Sequence, residues 1–163
     1  WDIRFIFERI GYSSKMNELE AAVGLGSMEI YDGILQKRQG NFAYLLDSFG
    51  RFSPYLKTIE PEPHEEIGPH AFPFVVQEGA PFTREELGAF LEKRGVETRT
   101  LFASMPTQCA GFKFLGYSLG QFPNAEYIGN TGLHIGIHQD LGQEHLDYFL
   151  DTVAEFLTEK GAT

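Results

Sequence analysis

The sequence predicts an α+β fold: a small, mostly antiparallel sheet with helices on one face, preceded by a long helical segment. Three features carry this expectation. Residues 17–49 repeat apolar side chains at helical spacing, residues 51–70 are too rich in proline to continue a helix, and short strand-like runs beyond residue 70 alternate with two amphipathic helices. A subdomain boundary is therefore expected around residue 50, dividing a helical segment, 1–50, from a small α+β domain, 51–163.

The elements follow in order. Asn17 is placed to cap a helix, with Glu20 three residues later completing a capping box and Leu19, Ala22 and Val23 on one face. Gly24 and Gly26 weaken its middle, so a break or a close helix contact is expected there. Ile30, Ile34, Leu35, Phe42, Leu45, Leu46 and Phe49 extend the helical pattern, and Gly50 stops it. Pro54, Pro61, Pro63 and Pro69 then leave room for one short strand, near Tyr55 to Ile59. Ala71 to Gln77 reads as a strand. Thr83, with Glu86 closing its capping box, begins a helix whose apolar face is Leu87, Phe90 and Leu91 and whose end is marked by Gly95. Val96 to Phe102 is a strand, followed by a Gly- and aromatic-rich loop through Phe122 and a short helix near Asn124 to Asn130. Leu133 to Ile137 is a strand by alternation. Leu146, Phe149, Leu150, Val153, Phe156 and Leu157 define the last helix.

Composition narrows the function classes. The 163 residues are 42% hydrophobic, with 15 Phe and 7 Tyr, so the chain must collapse into a core. A formal net charge of −10 opposes general nucleic-acid binding and attachment to an anionic membrane surface, both of which need cations. Cys109 is the one cysteine, which rules out an intrachain disulfide and makes a cysteine-rich metal site implausible, so a cytoplasmic location is expected. No run approaches the roughly 20 apolar residues that cross a bilayer. The opening Trp1-Asp2-Ile3-Arg4 has neither an initiator methionine nor a signal-peptide pattern, as expected of a segment of a longer protein.

Four groups of residues invite a chemical reading. Gly11-Tyr12-Ser13-Ser14-Lys15-Met16-Asn17 leads a turn into a helix start, where N–H groups, a hydroxyl and an ammonium can make a phosphate cradle; spacing alone favours a helix cap beside a solvated lysine. Arg99 closes a strand before an irregular loop, where it can pair with a substrate anion or lie on a half-exposed strand. His134 and His138 would stand roughly 13 Å apart along a strand, too far for one metal ion, though either can line a cleft. His64 and His70 read as surface residues. The acidic run Glu60 to Glu66 lacks calcium-loop spacing and reads as a solvated loop.

The segment at 11–22, Gly-Tyr-Ser-Ser-Lys-Met-Asn-Glu-Leu-Glu-Ala-Ala, resembles the Gly-Tyr-Asn-x-Arg-Met-Asn-x-x-Gln-Ala-Ala signature of the DegT/DnrJ/EryC1/StrS sugar aminotransferases, with Ser13 in place of Asn and Lys15 in place of Arg. Glu97 to Phe102, Leu115-Gly116-Tyr117, Phe122 to Glu126 and Leu133 to His138 continue the resemblance in the family's order, so that residues 9–158 are covered. The resemblance implies the C-terminal half of a fold-type-I pyridoxal-phosphate (PLP) enzyme that aminates a nucleotide-linked keto sugar. It implies a homodimer in which Ser13 and Lys15 approach the partner's cofactor phosphate, although a lysine cannot reproduce a bidentate guanidinium grip. It also implies that Arg99 and His138 face the nucleotide-sugar.

The lysine that holds PLP, and the acid that keeps its pyridine nitrogen protonated, lie in the family's large N-terminal domain. None of Lys15, Lys37, Lys57, Lys93, Lys113 and Lys160 matches that lysine, so no catalytic residue is expected in this chain and it is expected to be inactive alone. Two alternatives stand beside aminotransfer. Thr98-Arg99-Thr100-Leu101-Phe102-Ala103 matches the Thr-Arg-x-Leu-Phe-Ala stretch of the family's nucleotide-sugar 3-dehydratases, and a stand-alone non-catalytic binding or assembly domain remains a third reading.

Overall fold

The computed structural model describes Tyr12, residues 14–101, Thr107 and residues 109–162. Contacts divide the chain into two compact units, one ending at Gly33 and the other running from Ile34. The division does not fall near residue 50, because Phe42, Leu45 and Phe49 are buried in the core of the second unit.

In the first unit, helix α1 spans Glu18–Glu29. Its start is the expected capping box: the Glu20 N–H donates to Asn17 Oδ1 at 2.9 Å and the Asn17 N–H donates to Glu20 Oε2 at 3.0 Å. The break expected at Gly24 and Gly26 is not there. The helix runs through both, and the turn comes at Ile30, ahead of α2, Tyr31–Phe49. Nothing lies within 4 Å of where a Cβ would stand on either glycine, so no close contact requires glycine there. Their weak propensity alone does not break the helix.

The second unit realises the α+β expectation. After α2 and a 3₁₀ turn at Gly50–Phe52 come β1 Leu56–Thr58, β2 Ala71–Val76, α3 Arg84–Lys93, β3 Thr98–Thr100, a 3₁₀ segment Ala110–Leu115, α4 Pro123–Thr131, β4 Gly132–Gly136 and α5 Gln143–Glu159. The strands form one antiparallel sheet in the order β1-β2-β4-β3. Phe72, Phe74 and Val76 of β2 and Leu133 and Ile135 of β4 point to one face and are buried there with Phe49, Leu87, Leu91, Phe149 and Val153 from α2, α3 and α5. Phe49 sits at the centre, its ring 5.1 Å from Phe72 and 5.3 Å from Phe74.

β2 is a central strand yet contains Pro73, which has no N–H to give. The Pro73 carbonyl accepts the Thr58 hydroxyl at 2.6 Å, so its N–H side faces β1, whose pairing ends at Thr58↔Phe74. The ladder loses nothing there. On the second face Pro73, Val75 and His134 alternate with the core residues, and Arg99 stands opposite His134. No helix among the described residues is long and apolar enough to cross a membrane.

Candidate functional site

A cleft of about 790 Å³ opens where β4 ends and β2 and β3 begin. Apolar side chains such as Val96, Leu141 and Phe149 line it, together with His70, His134, His138, His145, Arg99, Glu97 and Glu144. The structure thus brings the two sequence-predicted substrate residues, Arg99 and His138, to one cleft.

Arg99 is positioned by the end of α3. Gly95 adopts φ +79°, a conformation that favours glycine, and the Val96 N–H returns to the Leu91 carbonyl at 3.0 Å. Glu92 Oε1 then accepts from the Thr98 N–H at 2.6 Å and the Thr98 hydroxyl at 2.9 Å, bonds that hold its carboxyl below the usual carboxylate range. This closure limits β3 to Thr98–Thr100, shorter than the expected Val96 to Phe102: Val96 belongs to the helix cap, and Phe102 lies outside the described residues. Alternation sends Thr98 towards α3 and Arg99 to the open face, where its guanidinium meets Glu97 at 2.6 Å with both side chains exposed. An ion pair this exposed holds weakly and can exchange for another anion.

His138 sits past the end of β4, in a turn closed by the Leu141 N–H on its carbonyl at 3.1 Å. Helix α2 braces that turn: Asn41 Nδ2 donates to the His138 carbonyl at 3.0 Å, and Arg38 Nε donates to Gln139 Oε1 at 3.1 Å. The imidazole is left more than half exposed at the cleft.

Two features go beyond the sequence reading, which placed His134 only as able to line a cleft and gave Glu126 no role. His134, half-buried on the open face, has its ring 6.3 Å from that of His70. Burial, then the positive charges of His70 and Arg99, push its pKa below the ordinary imidazole value. The cross-strand pairing Arg99↔His134 was hidden because register is not local. Glu126 on α4 is the second. Its buried carboxylate accepts the Gly120 N–H at 2.9 and 3.1 Å and the Phe122 N–H at 3.4 Å, closing the aromatic-rich loop onto α4. Burial raises its pKa, but the Gly120 N–H, the Thr107 side chain and the Phe122 N–H together outweigh burial and hold it below the ordinary value.

Of the candidate phosphate cradle, Ser13 lies outside the described residues, while Lys15 is exposed ahead of α1. The capping box occupies the N–H groups of Asn17 and Glu20 and sets Glu18 and Glu20 in the first turn, so the helix end itself offers an anion less than the sequence suggests. The cation at Lys15 is the part of the cradle that fits a phosphate. Among the described residues no group of three or more His, Cys, Asp or Glu side chains is placed to share a metal ion.

Comparison with known proteins matches residues 2–154 to the model of the DegT/DnrJ/EryC1/StrS aminotransferase family. The lipopolysaccharide biosynthesis protein RfbH of Salmonella typhimurium is 31% identical over 157 residues, 96% of this chain and 36% of that protein. Among solved structures, S. venezuelae DesV in complex with a ketimine intermediate aligns with a TM-score of 0.84 at 21% identity, covering 96% of this chain and 40% of that one. The E. coli GDP-4-keto-6-deoxy-D-mannose-3-dehydratase with bound hydrated PLP aligns with a TM-score of 0.79 at 23% identity, over 93% of this chain and 39% of that one. These two likenesses establish a shared fold. The chain spans little more than a third of the length of the curated relative, 36%.

Proposed function

The chain belongs to the DegT/DnrJ/EryC1/StrS aminotransferase family, and from that premise we propose that it supplies the C-terminal part of a PLP-dependent enzyme acting on a nucleotide-linked keto sugar. The observation that carries the reading is the cleft: Arg99, opposite His134, and His138 share about 790 Å³ of partly apolar space, the size and lining of a small-molecule site. Arg99 offers a planar fork of donors to an anionic or hydroxyl-bearing ligand. The His138 ring, presented by a turn that α2 fixes, orients the same ligand. Lys15, with Ser13, reaches the cofactor phosphate of the neighbouring subunit in a homodimer. PLP, when bound, supplies the electron sink, and the lysine that holds it belongs to a part of the enzyme outside this chain, which is inactive alone. The setting is the cytoplasm, in keeping with the single free cysteine, Cys109.

Amino transfer from glutamate or glutamine to the keto carbon is the first reading. Dehydration at the sugar 3-position is the second. Thr98-Arg99-Thr100-Leu101-Phe102-Ala103 favours it. The test is product analysis with the full-length protein that carries this chain, given PLP, glutamate and a nucleotide-linked 4-keto-6-deoxy sugar. An amino sugar formed with equimolar 2-oxoglutarate supports the first reading, and a 3-deoxy sugar supports the second. A PLP-loaded protein that yields neither from any such sugar overturns both.

A further inference from the structure

We infer that Arg99, His134 and His70 border an anion subsite that takes the diphosphate of the substrate. The identity of the ligand rests on the nucleotide-sugar reading; the subsite itself rests on the geometry.

Arg99 and His134 are directly paired across β3 and β4 on the open face, where neighbouring side chains stand about 5 Å apart. The His70 ring, just before β2, is 6.3 Å from that of His134. Each of these side chains carries positive charge or none. Charged together, they repel one another unless an anion lies among them. His134 shows the consequence, since burial and its two neighbours disfavour the imidazolium in the free protein. An entering dianion reverses the balance and makes protonation of His134 favourable, so binding takes up a proton.

The surrounding charges bear on this. Glu97 holds Arg99 at 2.6 Å, but with both side chains more than two thirds exposed that pairing yields readily to a diphosphate. Glu144 and His145 at the start of α5, and His138 with Asp140 after β4, stand around the same cleft. With every histidine neutral the two glutamates outweigh Arg99. The cleft is therefore expected to accept the anion in step with protonation of His134, which makes acidity part of the binding.

The experiment is a titration of the chain with inorganic pyrophosphate at pH 6 and pH 8, followed by NMR of the labelled histidine rings. The expected result is saturable binding weaker at the higher pH by on the order of tenfold, with the His134 ring moving to its protonated form as pyrophosphate is added. His134→Gln flattens the pH dependence, and Glu97→Gln, which frees the guanidinium, tightens binding. No response at His134, equal affinity at both pH values, or weaker binding by Glu97→Gln overturns the subsite. Failure of the substrate reading looks different: pyrophosphate binds as described, yet the full-length protein turns over no nucleotide sugar. If such sugars are turned over and His134→Gln leaves KM unchanged, the subsite falls and the substrate reading survives.

Discussion

A carboxylate taken out of water has to be compensated at once, and Glu126 is compensated by two backbone N–H groups of the loop it closes. Its folded pKa is depressed, so its contribution to stability is present above the ordinary carboxyl value of 4.5 and is lost as pH falls through the lower folded value. Glu126→Gln is therefore expected to lower the urea midpoint at pH 7 and to flatten the acid limb of a stability-versus-pH curve below pH 4.5. An unchanged acid limb would mean that the loop does not depend on this charge. The residue shows why some of the site was legible in sequence and some was not. Arg99 and His138 announce themselves by position, one at a strand end and one in a turn. Glu126 reads as an ordinary helix-start acid until Gly120, six residues back, is seen folding onto it, and His134 reads only as a strand histidine able to line a cleft until Arg99 is seen across the sheet.

Elements whose signals are local were legible in the same physical sense. Asn17 with Glu20 and Thr83 with Glu86 each complete a reciprocal cap within four residues, and both appear as read. Thr83→Ala is expected to cost about 1 kcal/mol, measured by urea unfolding, because it removes the oxygen that satisfies the Glu86 N–H. The features that sequence missed are settled by partners elsewhere, as where β3 stops. Gly132 at the start of β4 is another such position. A Cβ there would lie 2.5 Å from the Ile128 carbonyl and 2.6 Å from Leu101 Cδ1, and the Leu101 N–H donates to the Gly132 carbonyl at 3.0 Å. Gly132→Ala should therefore push β4 and the residue after β3 apart, destabilising by about 1–3 kcal/mol in the same assay. No loss of stability would show that Leu101 gives way freely.

Across the whole molecule the apolar surface is distributed unevenly. In the second unit the core side chains are hidden while the aromatic-rich loop leaves Phe114 and Leu119 exposed: Phe72 is fully buried against α2, and Phe72→Ala is expected to cost about 3–5 kcal/mol of unfolding free energy. Around α1 the apolar surface is open. Leu19 and Val23 stand one helical turn apart on one stripe and are 80% and 72% exposed, Leu25 and Met28 are each 68% exposed, and none of the α1 side chains is buried. A stripe of that kind asks for a covering surface. For the chain on its own, the available surface is a second copy. The expectation is dimers or larger species whose fraction rises with protein concentration in sedimentation velocity. Charge works against this, since at −10 two copies repel, so added salt should promote the association. Leu19→Glu with Val23→Glu places two like charges on the stripe and should return the chain to monomer with the helical content of the second unit intact. Association that survives the double substitution would assign the contact to another surface, and the apolar stripe of α1 would then need a different partner.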